Sequence, residues 1–66
     1  MKTRLKEFRK KRKLSQRELS KISGVSRGTI GDLENNVERV YKTDTLEKLS
    51  NALNVGVKTL FFGKSV

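Results

Sequence analysis

Apolar residues recur three and four positions apart along most of the chain, which is the spacing of one face of an α-helix. Leu5 and Phe8 begin this pattern in a first helix predicted over about residues 2–12, and Leu14 closes the apolar stripe after the turn. The pattern therefore predicts helices as the main elements of the fold.

Start and stop signals divide the pattern into separate helices. Ser15, with Glu18 three residues later, is a capping box that opens a second helix, and Gly24 is its stop signal. Leu19 and Ile22 are expected to form the buried face of this helix.

A third helix is predicted to begin at Ser26, whose hydroxyl can cap it, and to turn Ile30 and Leu33 inward. It is expected to end at Asn35 and Asn36, because asparagine tolerates the left-handed conformation that closes a helix.

A polar loop of mixed charge follows, with Val37, Val40 and Tyr41 as its apolar anchors. Asp44 and Glu47 then repeat the capping-box pattern and predict the start of a fourth helix. The apolar stripe of that helix consists of Leu46, Leu49, Ala52 and Leu53.

After Asn54, which ends the fourth helix, a last short helix is predicted to stop at Gly63. Its valines also suit a strand, but no second strand is available to pair with it. The sequence therefore predicts an all-α fold, a single domain over residues 1–66 with five short helices. The apolar residues of the last segment are Val55, Val57, Leu60 and Phe61.

Composition excludes most catalytic and metal-binding classes. The 66 residues include no Cys, His, Pro or Trp, so disulfides, thiolate metal sites and the usual general base are missing. No cofactor and no enzymatic activity are expected. No apolar run approaches the roughly 20 residues that span a bilayer, so we expect a soluble cytoplasmic protein. A core this small also favours pairing with a second copy.

The formal charge of +9 is concentrated near the N-terminus. Residues 1–21 hold ten of the sixteen Lys and Arg residues and carry +8, whereas the remaining 45 residues carry +1. Such a block is compatible with a solvated helix face. It is also the charge expected of a domain with a polyanionic partner, most commonly nucleic acid.

Two predicted helices of about eight residues, joined by Gly24, Val25 and Ser26, have the layout of a helix-turn-helix. The run from Ser15 to Glu34, SQRELSKISGVSRGTIGDLE, resembles the phage-repressor and Cro type of DNA-binding domain, the XRE family. Apolar positions on both sides extend the resemblance from about residue 4 to residue 63. It implies a compact five-helix, lambda-repressor-like domain with its helix-turn-helix at about residues 15–35.

The resemblance implies contacts with the DNA backbone and a structural ion pair. Gln16 begins the second helix, where family members hold a phosphate and where a helix N-terminus attracts anions. Arg9 and Glu34 occupy positions that often join the first and third helices by an ion pair, which assigns Arg9 to the fold rather than to DNA. The phosphate contacts implied in this way are Gln16, Arg17, Asn36, Arg39 and Lys42.

Base reading is assigned to the exposed start of the third helix. Arg27 is the principal candidate, because its guanidinium can donate two hydrogen bonds to O6 and N7 of guanine. Asp32 is able to accept from a cytosine amine, or alternatively to orient Arg27, and Thr29 is able to meet a phosphate or a thymine methyl. The base-contacting candidates are Ser26, Arg27, Gly28, Thr29 and Asp32.

Five residues depart from the family pattern: Gly28, Gly31, Lys13, Ser20 and Asn36. Gly28 and Gly31 lie inside the third helix, where each costs up to about 1 kcal/mol relative to Ala. This helix either becomes fully ordered on DNA, or Gly28 permits close approach of the backbone to a base or phosphate. Lys13 replaces the Gly or Asn common at the end of the first helix.

The function expected from these features is that of a sequence-specific transcriptional regulator, a repressor that binds a two-fold related operator on nucleoid DNA as a homodimer. The alternative is an antitoxin-like interaction module with a protein partner, in which the helix-turn-helix is degenerate. The candidate dimer surface consists of Val57, Phe62 and Val66.

Overall fold

Five helices in chain order form the protein in the computed structural model, which describes residues 2–62. No strand occurs in that range, so the predicted all-α fold is confirmed. The helices are α1 (Leu5–Lys11), α2 (Gln16–Ser23), α3 (Arg27–Glu34), α4 (Thr43–Leu53) and α5 (Val57–Phe61). The predicted stop at Gly63 lies outside the described residues.

The core is built from one or more apolar residues of every helix. Helix α2 packs against α3 and α4, and α1 packs against α3 and α5. Phe8, Leu14 and Tyr41 pack against this core while half-buried. The buried core residues are Leu5, Leu19, Val25, Ile30, Leu33, Leu46, Leu49, Leu53, Leu60 and Phe61.

Three predicted apolar anchors lie outside the core. Ile22 is 58% exposed, although it lies only three residues after the fully buried Leu19. Val25, just beyond the turn, is buried in the core. In the loop after α3, Val37 and Val40 are exposed, and Tyr41 alone of the predicted anchors packs inward.

The predicted capping box at the start of α4 is wrong. The chain enters the helix earlier, since the N–H groups of Thr45 and Leu46 donate to the carbonyl oxygen of Lys42. Lys42 is therefore the N-cap, and no side chain of residues 2–62 caps this end. Asp44 lies inside the first turn, where its charge suits the helix dipole, and its carboxylate lies 3.3 Å from the ammonium of Lys48.

Residues with a left-handed backbone conformation follow the ends of α1, α2, α3 and α4, and three of the four are not glycine. Asn36 and Asn54 have φ of 58° and 55°, as expected for asparagines at helix ends. Lys13, after α1, has φ of 57°, a conformation that costs an ordinary L-residue roughly 1–2 kcal/mol. The turn after α1 is therefore strained in a way that Gly or Asn at this position would relieve.

Candidate nucleic-acid interface

Local capping fixes the two helices at the centre of the interface. The hydroxyl of Ser15 accepts from the N–H of Glu18 at 3.0 Å, and the Glu18 carboxylate accepts from the N–H of Ser15 at 2.8 Å. Gly24 ends α2 with φ of 79°. Ser26 then caps α3 by accepting from the N–H of Thr29 at 3.2 Å. The three predicted boundaries of the helix-turn-helix are confirmed.

A bidentate ion pair joins the first and third helices. The Nε and Nη2 of Arg9 donate to the two carboxylate oxygens of Glu34 at 2.6 and 3.1 Å. Arg9 also donates through Nη1 to the carbonyl oxygen of Leu14, and Gln16 Nε2 donates to Glu34 at 3.0 Å. The Glu34 side chain is only 2% exposed. These contacts hold the start of α2 against the end of α3.

The pair shifts the titration of both partners. Burial acts to raise the pKa of Glu34, but hydrogen bonds from Arg9 and Gln16, with the positive charges of Arg9 and Lys6, outweigh it and lower this pKa below its usual range. The hydrogen bond with Glu34 raises the pKa of Arg9. Both groups are therefore charged at neutral pH.

The outer face of α3 is open to solvent. Ile30 and Leu33 point into the core, whereas Arg27 and Gly28 on the first turn are exposed. Within residues 2–62, the Arg27 side chain has no hydrogen bond or ion pair. Its guanidinium is thus available to a ligand approaching the start of the helix.

Neither glycine of α3 is required by the fold. A Cβ atom built at Gly28 or Gly31 meets nothing within 4 Å, and neither residue has a positive φ. An alanine would fit at either position within the described chain, so packing does not explain why these residues are glycine.

An unpredicted cluster joins α3 to the loop that follows it. Arg39 Nε donates to Asp32 Oδ2 at 3.1 Å, and Arg39 Nη2 donates to Thr29 Oγ1 at 3.3 Å. The guanidinium carbon lies 4.3 Å from the centre of the Tyr41 ring. Asp32 therefore pairs with Arg39 and not with Arg27. The opposite charges of Asp32 and Arg39 are the only sequence signal for this contact.

The predicted phosphate contacts lie in different surroundings. The N–H groups of Gln16 and Arg17 open α2 and have no acceptor among the described residues, although the Gln16 side chain is engaged by Glu34. Lys42 is exposed at the start of α4. Asn36 is exposed, and its Oδ1 accepts from the N–H of Thr3 at 3.1 Å.

The structure separates the cations of α1, which sequence patterning leaves undivided. Arg12 donates to the carbonyl oxygen of Leu53 at 2.8 Å and so closes the end of α4. Lys11 lies beside Glu7 and over the Phe8 ring. Lys6 is rotated by about 60° around the helix axis from Arg9, which binds Glu34, so its backbone position is near the side of α1 that faces α3.

Lys10 shares the Lys6 side of α1, since residues four apart lie on one face of a helix. We call Lys6 and Lys10 the inner lysines. Lys11 lies on a different side of α1, beside Glu7 and Phe8.

The candidate dimer residues differ in exposure. Phe62 is 55% exposed, and Val57 is half-buried against the core. Val66 lies outside the described residues. No helix in residues 2–62 has the length and apolar character needed to cross a membrane.

The order of helices, the caps and the exposed α3 agree with a comparison against protein families. A family model described as helix-turn-helix matches residues 5–60. The chain belongs to the XRE-type helix-turn-helix family. This membership supports a DNA-binding transcription regulator.

A comparison with solved structures gives the same fold. The SinR protein/SinI protein complex contains a chain that is similar to this one with a TM-score of 0.78 and 34% sequence identity. The match covers 85% of this chain and 54% of the other, so this chain spans about half the length of that relative. No curated protein sequence gives a significant match.

Proposed function

We propose that this protein is a sequence-specific transcriptional repressor that places α3 in the major groove of a two-fold related operator. The observation that carries the proposal is the exposed guanidinium of Arg27 on the first turn of α3, which has no partner within residues 2–62. Residues at the start of the second helix of a helix-turn-helix contact base edges. Arg27 reads guanine in this arrangement, with Ser26 and Thr29 beside it.

The DNA backbone is held on both sides of α3. The free N–H groups of Gln16 and Arg17 receive one phosphate at the start of α2. Asn36 and Lys42 contact the backbone beyond the end of α3, and the inner lysines add attraction without sequence preference. A protein that acts in this way works on the nucleoid, in the cytoplasm.

Two copies bind the operator, with half-sites about one helical turn, roughly 34 Å, apart. The exposed ring of Phe62 supports a dimer surface near the C-terminus, together with Val57 and Val66. Light scattering tests this directly. We expect the wild-type protein to be a dimer and the Phe62→Ser variant to be a monomer. A wild-type protein that is a monomer at tens of micromolar would contradict this dimer surface.

Salt dependence tests DNA binding itself. If each protomer neutralises about four phosphates, the affinity of a dimer falls by roughly 10³–10⁵-fold between about 50 and 200 mM salt. Fluorescence anisotropy with a labelled duplex measures this fall. An affinity that does not change with salt would overturn the proposal.

A second candidate function is that of a protein-interaction module with weak, non-specific DNA binding. The observation that favours it is that the similar solved chain belongs to a complex of two different proteins. The two functions differ in whether the protein selects a particular DNA sequence. An interaction module enriches no sequence from a random duplex library, whereas a repressor enriches a two-fold related site.

A further inference from the structure

The Arg39 guanidinium is only partly used by its partners within the protein. Of its five N–H groups, one on Nε bonds Asp32, one on Nη2 bonds Thr29, and one on Nη1 approaches the carbonyl oxygen of Val40 at 3.5 Å. One N–H on each terminal nitrogen has no partner within residues 2–62. The two terminal nitrogens form the end of the guanidinium, which matches a pair of acceptor atoms.

The direction of this guanidinium is fixed by the loop. The Tyr41 ring packs against the guanidinium, and the Tyr41 hydroxyl donates to the carbonyl oxygen of Val37 at 2.7 Å. The N–H of Val37 in turn donates to the carbonyl oxygen of Asp32 at 2.9 Å. The loop is thus attached to α3 through both the backbone and the side chain of Asp32.

Thr29 binds a second nitrogen, Nη2, of the same guanidinium. Its hydroxyl oxygen accepts from Arg39 and also from the hydroxyl of Ser26 at 3.0 Å. The side chains of Arg39 and Asp32 are 41% and 42% exposed, so both remain accessible from solvent. Arg39 is therefore presented at the edge of α3 by partners that come from the helix.

The position of Asp32 is otherwise unfavourable for DNA binding. A lone carboxylate on the outer side of α3 repels phosphates, and pairing with Arg39 neutralises that charge. The same pairing fixes a guanidinium that would otherwise lose side-chain entropy on binding. Asp32 thus has a use on this surface that does not require it to read a cytosine.

We propose that Asp32 is a positioning residue that acts on DNA through Arg39. The two remaining N–H groups of Arg39 bind a paired acceptor on the duplex, either two oxygens of a phosphate or O6 and N7 of a guanine. This inference rests on the proposed function, because it requires that α3 face DNA.

The sign of one substitution separates this proposal from simple electrostatics. Asp32→Asn removes a negative charge, so Coulomb attraction alone predicts tighter DNA binding. Positioning predicts the opposite, a loss of about five- to tenfold in affinity, the size of a typical coupling between contacting residues. In an Arg39→Gln background, Asp32→Asn is expected to change affinity less than about twofold.

The experiment is a double-mutant cycle by fluorescence anisotropy, with the full chain and a duplex that the wild-type protein enriches from a random library. Asp44→Asn is the matched control, because it removes the same charge from the exposed Lys48 pair on α4 and should not weaken binding. Circular dichroism checks folding, since an exposed pair contributes only about 0–1 kcal/mol to stability.

Unchanged or tighter binding by Asp32→Asn would overturn the inference, as would an equal loss in both backgrounds. A wild-type protein that binds no duplex would instead overturn the proposed function. Repeating the library selection with Arg39→Gln identifies the acceptor. Loss of preference at one G·C pair indicates guanine, and uniform weakening at every site indicates phosphate.

Discussion

Arg9 and Glu34 form a two-pronged ion pair between α1 and α3, in which two guanidinium nitrogens lie 2.6 and 3.1 Å from the two carboxylate oxygens. The Arg9 side chain is 10% exposed and that of Glu34 is 2% exposed. The pair also receives the Gln16 amide, which places the start of α2 beside α3. A cation in the most basic segment of the chain is thereby used to orient the helix-turn-helix.

Removing one partner should destabilise the fold strongly. Glu34→Ala leaves the Arg9 guanidinium buried without its carboxylate, and breaking such a pair costs about 3–5 kcal/mol. Urea or thermal unfolding followed by circular dichroism measures the loss. Glu7→Gln is the matched control, because it breaks an exposed pair with Arg4 and should cost less than about 1 kcal/mol. Equal effects of the two variants would contradict the structural role of Glu34.

Acid should weaken the fold partly through the same carboxylate. Because the pKa of Glu34 is lowered in the folded state, its contribution to stability is complete above its unfolded pKa, near 4.5, and is lost as the pH falls through the folded value. The urea midpoint should therefore fall below about pH 4.5. Glu34→Gln should show a smaller acid-induced fall, with a remainder from Glu7 and Glu18, whose pKa values are also lowered. An identical acid-induced fall in the two proteins would exclude Glu34 as a source.

The glycine on the first turn of α3 should separate stability from DNA binding. Gly28→Ala should stabilise the free protein by up to about 1 kcal/mol, since the added methyl group improves helix propensity and meets no atom. In the proposed complex the same methyl group faces the duplex, where overpacking costs about 1–3 kcal/mol, so affinity should fall by roughly 5- to 150-fold.

Gly31→Ala provides the comparison for Gly28→Ala, with a similar gain in stability and a smaller change in affinity. Thermal unfolding and anisotropy are measured on the same samples. If Gly28→Ala binds DNA as well as the wild-type protein, close approach of the backbone at Gly28 is wrong.

The inner lysines should contribute to salt-dependent binding. Lys6→Gln should reduce the slope of log affinity against log salt by about 1 for each protomer, because one phosphate contact is lost. Lys11→Gln removes the same charge from the other side of α1, beside Glu7 and Phe8, and should leave the slope unchanged. A loss of slope that is the same for both variants would mean that α1 acts through its total charge alone.

Local chemistry made most of the fold predictable. The boundaries of α2 and α3 follow from hydroxyl caps and from a glycine with positive φ, all of which act within four residues of the chain. Asp44 and Glu47 have the same pattern, yet the chain enters α4 at Lys42 without a side-chain cap. Neighbouring residues alone therefore did not fix every helix start.

The candidate interface was less predictable, because its contacts cross between elements. The partner of Asp32 is seven residues away in a loop with no regular spacing, whereas Arg27 was the partner expected from the sequence. The division of the α1 cations depends on how the helix is rotated about its axis. Ile22 and Val40 are exposed for a related reason, since apolar character alone does not show which residues the core can reach.

Selection of duplexes from a random library, followed by sequencing, tests the central proposal most directly. The wild-type protein should enrich a two-fold related site, and Arg27→Ala should lose preference at one G·C pair in each half-site, a discrimination of about 1–3 kcal/mol. If the wild-type protein enriches no sequence, or if Arg27→Ala enriches the same site with the same preferences, base reading by the first turn of α3 is contradicted.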